Sequence, residues 1–313
     1  MSHFHPELRL AARLIPRFSF GPRLSRWAKG LQRRRGVPTP PLAEGLSIRD
    51  EFILGPDGSS LRVRLYIPTA AQPARPAILW MHGGGFIIGT PEQDEALHIE
   101  LCRKVGLVIV AVDYRLSPEH PFPAPLADGY AALAWLHSQA DRLNIAPDRV
   151  AIGGKSAGAG LAAGLVLMAH DRAEFPVAFQ LLIYPMLDDR TARRTDIDER
   201  VLRLWSAKSN RFGWRSYLGR EPGGPDVPAY ASPARREDLR GLPQTWIGVG
   251  TCDLFHDENL AYARRLTEAG VPCTLQIVEG AFHLFDLVGA KTAVVRNFQE
   301  SYFEALRKAL CRG

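Results

Sequence analysis

The sequence predicts an α/β fold: a mostly parallel sheet of eight strands flanked by helices, with a helical cap. Three observations predict it. Six short apolar runs, "AILWM" (77–81), "LVIVAVD" (107–113), "VAIGG" (150–154), "FQLLIYP" (179–185), "TWIGVG" (245–250) and "TLQIVEG" (274–280), are too continuously apolar for half-exposed strands. Such runs belong to a parallel sheet covered on both faces. Helical stretches near 93–105, 125–140, 156–170, 257–269 and 290–311 alternate with them, and that alternation builds helices onto both faces of the sheet. The third observation is a break in the rhythm. Residues 187–240 separate two strands by far more than a crossover needs and carry Trp205, Phe212, Trp214 and Tyr217, as a lid over a site would.

Taken in order, residues 1–45 hold two short amphipathic stretches, one with Leu8, Ala12 and Ile15 on a face, the other with Leu24, Trp27, Ala28 and Leu31. They form the N-terminal part of the cap, and "GVPTPP" (36–41) is a linker. "SIRDEFIL" (47–54) and "LRVRLYIP" (61–68) alternate polar and apolar residues around the "GPDGSS" turn, the pattern of two antiparallel strands. They open a core of residues 46–186. The cap insertion is 187–225, and 226–313 completes the core. Strand eight ends the sheet, and its open edge makes a homodimer the expected assembly.

The chain has 313 residues and a net charge of +6, unevenly placed. Residues 1–36 carry nine Lys or Arg against Glu7 alone, a charge of +8, so the rest sums to −2. The basicity therefore belongs to an N-terminal arm and does not indicate a nucleic-acid partner. Arg9, Arg13 and Arg17 interrupt the arm before any apolar stretch reaches signal-peptide length. No run is long enough for a membrane span, and membrane association is not expected. Four scattered cysteines, Cys102, Cys252, Cys273 and Cys311, fit free thiols in a reducing, cytoplasmic compartment. Cys252 and Cys273 could meet only if their segments were neighbouring strands.

"AIGGKSAGAG" (151–160) admits two chemistries. A phosphate-binding loop ending in Gly154-Lys155-Ser156 needs glycine at 149, where Arg149 stands. The relaxed dinucleotide pattern Gly158, Gly160, Ala163 lies inside the helix instead of before it. The nucleophile elbow fits: strand, sharp turn at Ser156, helix from Ala157, with Gly154 and Gly158 leaving room for the reversal. After the third strand comes "HGGGF" (82–86), whose Gly83 and Gly84 offer bare N–H groups. With the N–H of Ala157 they would form an oxyanion hole. His82 is read as a loop-shaping hydrogen bonder. On open α/β sheets the remaining members follow as acid and then histidine. Asp253 is the first acid beyond "TWIGVG", and His283 follows "LQIVEG" by two residues. Asp257 and Glu258 fall where the next helix begins and are expected to face its positive end, and His256 is a decoy one step too late.

These residues carry a resemblance. "WMHGGGFIIGT", "VDYRLSPEHPFPAPLAD", "IGGKSAGAGLAA", "YPMLDDR", "DLFHDENLAYARRL" and "GAFHLFD" resemble the bacterial hormone-sensitive-lipase-like esterases of the α/β-hydrolase superfamily. The resemblance implies the α/β-hydrolase fold and a cap built from the arm and the insertion. It implies a small-molecule ester as substrate, short- to medium-chain carboxylic ester hydrolysis, no cofactor and no metal. Arg115, Glu119 and Asp128 are implied to form a fold-holding charge network. The family usually has Asp or Glu before the nucleophile, and here it is Lys155. Near the triad, its ammonium would favour the alkoxide but oppose imidazolium; pointing away, it would lose the acid's usual partner. The expectation is that Lys155→Asp leaves activity at least as high.

The mechanism expected is two-step acyl transfer: Ser156 as nucleophile, His283 as base, Asp253 holding its tautomer. Activity should fall below about pH 6 to 7, where free histidine takes a proton. Phe86, Ile87, Tyr184, Leu187, Trp205, Phe212 and Trp214 are assigned to the substrate pocket, with acetyl to hexanoyl esters preferred. The same triad would serve an amidase, peptidase or lactonase. A non-catalytic ligand-binding receptor on this fold commonly lacks the histidine, which is present here.

Overall fold

The computed structural model describes residues 3–16 and 19–311. Arg17 lies outside them, as do the side chains of Arg33 and Arg35. The strands are β1 (Leu46–Leu54), β2 (Ser60–Pro68), β3 (Arg75–Met81), β4 (Val108–Val112), β5 (Ile145–Lys155), β6 (Phe179–Ile183), β7 (Gln244–Cys252) and β8 (Cys273–Phe282). They form one eight-stranded sheet in the order β1-β2-β4-β3-β5-β6-β7-β8. β2 pairs antiparallel with β1 and with β4, and every other pairing is parallel. β5 begins earlier than the apolar run predicts, because its register shifts between Arg75↔Ile145 and Ala77↔Val150. That irregularity absorbs the "APDR" stretch, which reads as a turn.

The helices are α1 (Arg9–Leu14), α2 (Pro22–Arg35), α3 (Glu95–Val105), α4 (Ala124–Ser138), α5 (Ala140–Leu143), α6 (Ala157–Arg172), α7 (Ala207–Leu218), α8 (His256–Glu268), α9 (Phe285–Val288) and α10 (Ala293–Leu310). Successive strand residues point to opposite faces, and the core divides accordingly. Ala77, Leu79 and Met81 of β3 join the cluster under α4, α6 and α8, while Ile78 and Trp80 join the cluster with α3 and α10.

The arm and the insertion after β6 lie together. Arg203 Nε donates to the Ala12 carbonyl at 2.5 Å, Ser19 and Ser206 share a hydroxyl contact at 2.8 Å, and the Phe20 N–H donates to Ser209 Oγ at 2.9 Å. In α2 the buried face differs from the predicted one. Trp27 is 66% exposed, while Ser25 and Lys29 are buried. Polar anchoring decides the rotation: Lys29 Nζ donates to the Ser117 carbonyl at 2.6 Å and pairs with Glu119. Glu119 thus ties down the arm instead of joining Arg115, whose guanidinium grips Asp128 and Asp57.

Cys252 and Cys273 are free thiols at opposite ends of the β7–β8 ladder, paired with Phe282 and Thr245. β8 is an edge strand, but its end is partly covered by this chain: the His5 N–H donates to the Gly280 carbonyl at 2.9 Å. Among the described residues no helix is long and apolar enough to cross a membrane.

Candidate active site

Ser156 sits between the end of β5 and the first residue of α6, at φ 54° and ψ −121°. A non-glycine residue there is strained and persists only where its surroundings impose it. The imposition is visible in the packing. A Cβ on Gly158 would lie 2.1 Å from the Met81 carbonyl oxygen and 2.3 Å from that of His82. The end of β3 therefore crosses directly against the first turn of α6, and only glycine permits it. The Ser156 N–H donates to the Ile183 carbonyl at 2.9 Å and its own carbonyl accepts from Gly160 and Met186, which fixes the elbow from three sides.

The side chain that results is buried and directed at His283, with Oγ to Nε2 at 2.9 Å. His283 Nδ1 lies 2.8 Å from Asp253 Oδ2. Asp253 Oδ1 accepts the Phe255 N–H at 3.0 Å, which pins the carboxylate's rotation. All three residues stand just past strand C-terminal ends, where open α/β sheets place their sites. Two rings brace the imidazole edge-on, Tyr184 at 4.9 Å and Phe255 at 5.2 Å between centroids.

A cavity of about 200 Å³ opens over Ser156 and His283. Gly83 and Gly84 line it. Ala157 is the first residue of α6, so its N–H has no partner within the helix. His82 is buried, stacks on Tyr114 at 4.1 Å, and approaches the Gly83 carbonyl with Nδ1 at 2.8 Å. Burial lowers its pKa and keeps it neutral, as suits a loop-shaping group.

Of the seven residues assigned to the pocket, Trp205 alone lines this cavity. Phe86, Ile87, Tyr184, Leu187 and Trp214 are fully buried in the core. Phe86 stacks on Tyr217 at 4.1 Å. Phe212 lines a separate surface cleft between α2 and α7. The apolar wall is instead Phe20, Ile88, Leu204, Leu284 and Leu287 with Trp205. Ile88 and Leu284 lie within the quoted motifs, but nothing there marks them as wall residues, because the six come from four separate segments that only the fold brings together. Gln93, Asp94 and Lys155 supply its polar side.

The acids beyond Asp253 divide as well. Asp257 pairs at the surface with Arg194 and His256. Glu258 is buried, and it bonds to the insertion. It accepts the Leu187 and Asp188 N–H groups at 2.7 and 3.2 Å and a bond from the Thr191 hydroxyl. Burial pushes its carboxyl well above the usual range.

Lys155 neither approaches the nucleophile as a free cation nor points to solvent. Its Nζ lies 2.7 Å from Asp286 Oδ2 and 3.5 Å from Asp94 Oδ1, with all three side chains buried. This reverses the expectation for Lys155→Asp, which would bury a third carboxylate against two. Among the described residues no group of three or more His, Cys, Asp or Glu is arranged to hold a metal.

A serine on a strained strand–helix turn after β5, bonded to a histidine just past β8 and through it to an acid just past β7, defines the class of α/β hydrolases. The sequence agrees over the same region: the family profile described as alpha/beta hydrolase fold matches residues 78–287, and the chain belongs to that family, in its hormone-sensitive-lipase-like branch. The chain is 34% identical to Esterase LipI of Mycobacterium tuberculosis over 80% of this chain and 79% of that protein. It is 34% identical to Carboxylesterase NlhH of the same species over 78% and 77%. The structure of a Bacterial Heroin Esterase superposes with a TM-score of 0.89 at 38% identity, covering 99% of both chains.

Proposed function

We propose that the protein is a serine carboxylesterase acting on short-chain esters through Ser156, His283 and Asp253. The carrying observation is the continuous hydrogen-bonded line from Ser156 Oγ through both imidazole nitrogens to Asp253, at 2.9 and 2.8 Å, opening on one cavity. Ser156 attacks the ester carbonyl as His283 takes its proton. The oxyanion is held by the N–H groups of Gly83, Gly84 and Ala157, each worth about 10²- to 10³-fold in rate. His283 protonates the departing alcohol, then activates water to release the acid. Asp253 holds the tautomer and stabilises the imidazolium.

The arm and residues 187–225 form the cap in this reading: Phe20 and Leu204–Trp205 roof the cavity, whose floor comes from the sheet ends. At about 200 Å³ the space is below the ~300 Å³ common for drug-sized ligands, which supports small acyl groups. The free part of β8 supports a homodimer, tested by size-exclusion with light scattering. The scattered free thiols fit a reducing compartment.

The decisive assay is turnover of p-nitrophenyl esters of graded acyl length by the native protein and Ser156→Ala. We expect activity highest between acetyl and hexanoyl and at least ~10³-fold lower in the variant. Absence of ester turnover in pure native protein, or unchanged turnover in the variant, would overturn the reading.

A further inference from the structure

We propose that Lys155 is a positioning residue for His283: its buried ammonium gathers Asp286 and Asp94, and through Asp286 and Tyr184 it fixes the imidazole and balances the charge behind it. The inference rests on the esterase reading above and assigns a role within that site.

Three functional segments converge on this one ammonium. Asp94 closes the loop that begins with Gly83 and Gly84. Lys155 is the last residue of β5, adjacent to Ser156. Asp286 lies three residues beyond His283, on α9. Lys155 Nζ reaches Asp286 Oδ2 at 2.7 Å and Asp94 Oδ1 at 3.5 Å. The opposite oxygen of each carboxylate is used too: Asp286 Oδ1 accepts the Tyr184 hydroxyl at 2.8 Å, and Asp94 Oδ2 accepts the Trp80 indole N–H at 3.0 Å. Tyr184 stands edge-on to the His283 ring. The path from ammonium to imidazole is therefore Lys155, Asp286, Tyr184, His283, with every step in contact.

The charges follow from the same contacts. Burial pulls the Lys155 ammonium toward neutrality, but Asp286 and Asp94 outweigh it and hold it above the ordinary lysine range. Burial pushes Asp94 upward, but Lys155 foremost brings it below the usual carboxylate range. Two carboxylates on one ammonium leave the cluster with an excess negative charge. Desolvating such a cluster is costly, and it persists because each member is satisfied by the others. An acid at position 155, as in the family this chain resembles, has no place between these two carboxylates.

Among the described residues, the groups facing His283 from each packed element are few. Asp253 comes from the β7–α8 loop, Ser156 from the elbow, Tyr184 from the end of β6, and Asp286 from α9, with Lys155 and Asp94 behind it. His98 on α3 is buried, and burial lowers its pKa to about 4, so it stays neutral. His82 is likewise held neutral by burial. Glu92 is engaged by Arg62 and Arg64. Burial, then Asp286, raises the Tyr184 phenol well above its usual range.

The test is the pH profile of kcat/KM, with Ser156→Ala measured alongside. Lys155→Met leaves both carboxylates behind the imidazole, favours its charged form, and moves the acid limb to higher pH. Asp286→Asn leaves the cluster neutral and moves the limb to lower pH; each displacement should be about half a unit or more. Lys155→Arg keeps the charge and should hold the limb at the native position. Opposite displacements in Lys155→Met and Asp286→Asn support the proposal, since a purely structural role lowers turnover in both without moving the limb. An unmoved limb, or displacement in one direction for both, overturns it. If Lys155→Met does not fold, Asp94→Asn takes its place: it should move the limb downward with Asp286→Asn, and an unmoved limb in both overturns the proposal. Loss of turnover only in Ser156→Ala, with no displacement elsewhere, sinks this inference and leaves the esterase reading standing.

Discussion

Asp253 Oδ2 holds His283 Nδ1 at 2.8 Å while Asp253 Oδ1 accepts the Phe255 N–H, so both carboxylate oxygens are committed in fixed directions. An amide in this position keeps the shape but offers an N–H where an acceptor is needed. Asp253→Asn should therefore lower kcat by ~10³- to 10⁴-fold with little change in KM. Steady-state kinetics beside a melting curve separates this from unfolding. A loss under tenfold in a folded variant would remove Asp253 from its role.

Gly158→Ala sets two effects against each other. Alanine improves a helix interior by ~1 kcal/mol over glycine, and Gly158, second residue of α6, gains no more than that. The added methyl would sit 2.1 Å from the Met81 carbonyl oxygen, and backbone cannot yield as a side-chain tip does. Overpacking a tight site costs ~1–3 kcal/mol, and two carbonyls are struck here, so the clash should win. Chemical denaturation should show net destabilisation of about 2 kcal/mol or more. An equally stable variant would mean that β3 and α6 are not in this contact.

Trp205 governs the cavity's size. Its indole rests against Gly85, where a Cβ would meet the ring at 2.1 Å, and beside Phe20 at 5.9 Å between centroids. Trp205→Ala removes a wall without touching the triad. The acyl-length optimum in the p-nitrophenyl series should move to longer chains, with kcat/KM for acetyl esters falling. An unchanged chain-length profile would place acyl binding elsewhere.

Glu258 ties the start of the insertion to α8. Its folded-state pKa is raised by burial, so the sign runs opposite to a paired surface carboxylate. The folded state favours the neutral acid. The stability it contributes is complete below the unfolded value near 4.3 and is lost as pH rises through the folded value. Glu258→Gln removes the ionisation, keeps an oxygen to accept the Leu187 and Asp188 N–H groups, and turns the Thr191 bond round so that the amide N–H donates to the hydroxyl. Its melting temperature should gain on the native protein as pH rises from 5 to 8. A gap that narrows instead would show that the native carboxyl is buried charged.

The six parallel strands were legible because burial on both faces demands short unbroken apolar runs; the one longer run, 157–169, is told apart by its length and its small residues and forms α6. The convergence of Ser156, His283 and Asp253 was legible because the proposed triad must follow particular strand ends in a particular order. Tyr184 and Phe86 show where such reasoning stops. An aromatic beside a motif serves equally to line a cavity or to brace the machinery beneath it, and only packing decides. Trp27 makes the same point in reverse: an amphipathic pattern predicts it buried, but one ammonium on Lys29 with two fixed acceptors turned α2 over. Lys155 was visible as an anomaly. Its partners lie 61 positions before it and 131 after it, and no local pattern connects them.

The described residues of the arm touch the far end of the chain repeatedly. Glu7 accepts the Ala293 N–H at the start of α10, His5 bonds to Gly280 three residues before His283, and Leu8 packs on Gly289. Phe20 closes the cavity. A protease cutting near residue 20 would thus loosen the loop that presents His283 and unroof the cavity over Ser156 in one event, while most of the sheet stayed intact. Cleavage of that segment and loss of turnover should follow the same time course, which makes the arm a built-in reporter of whether the His283 loop is seated.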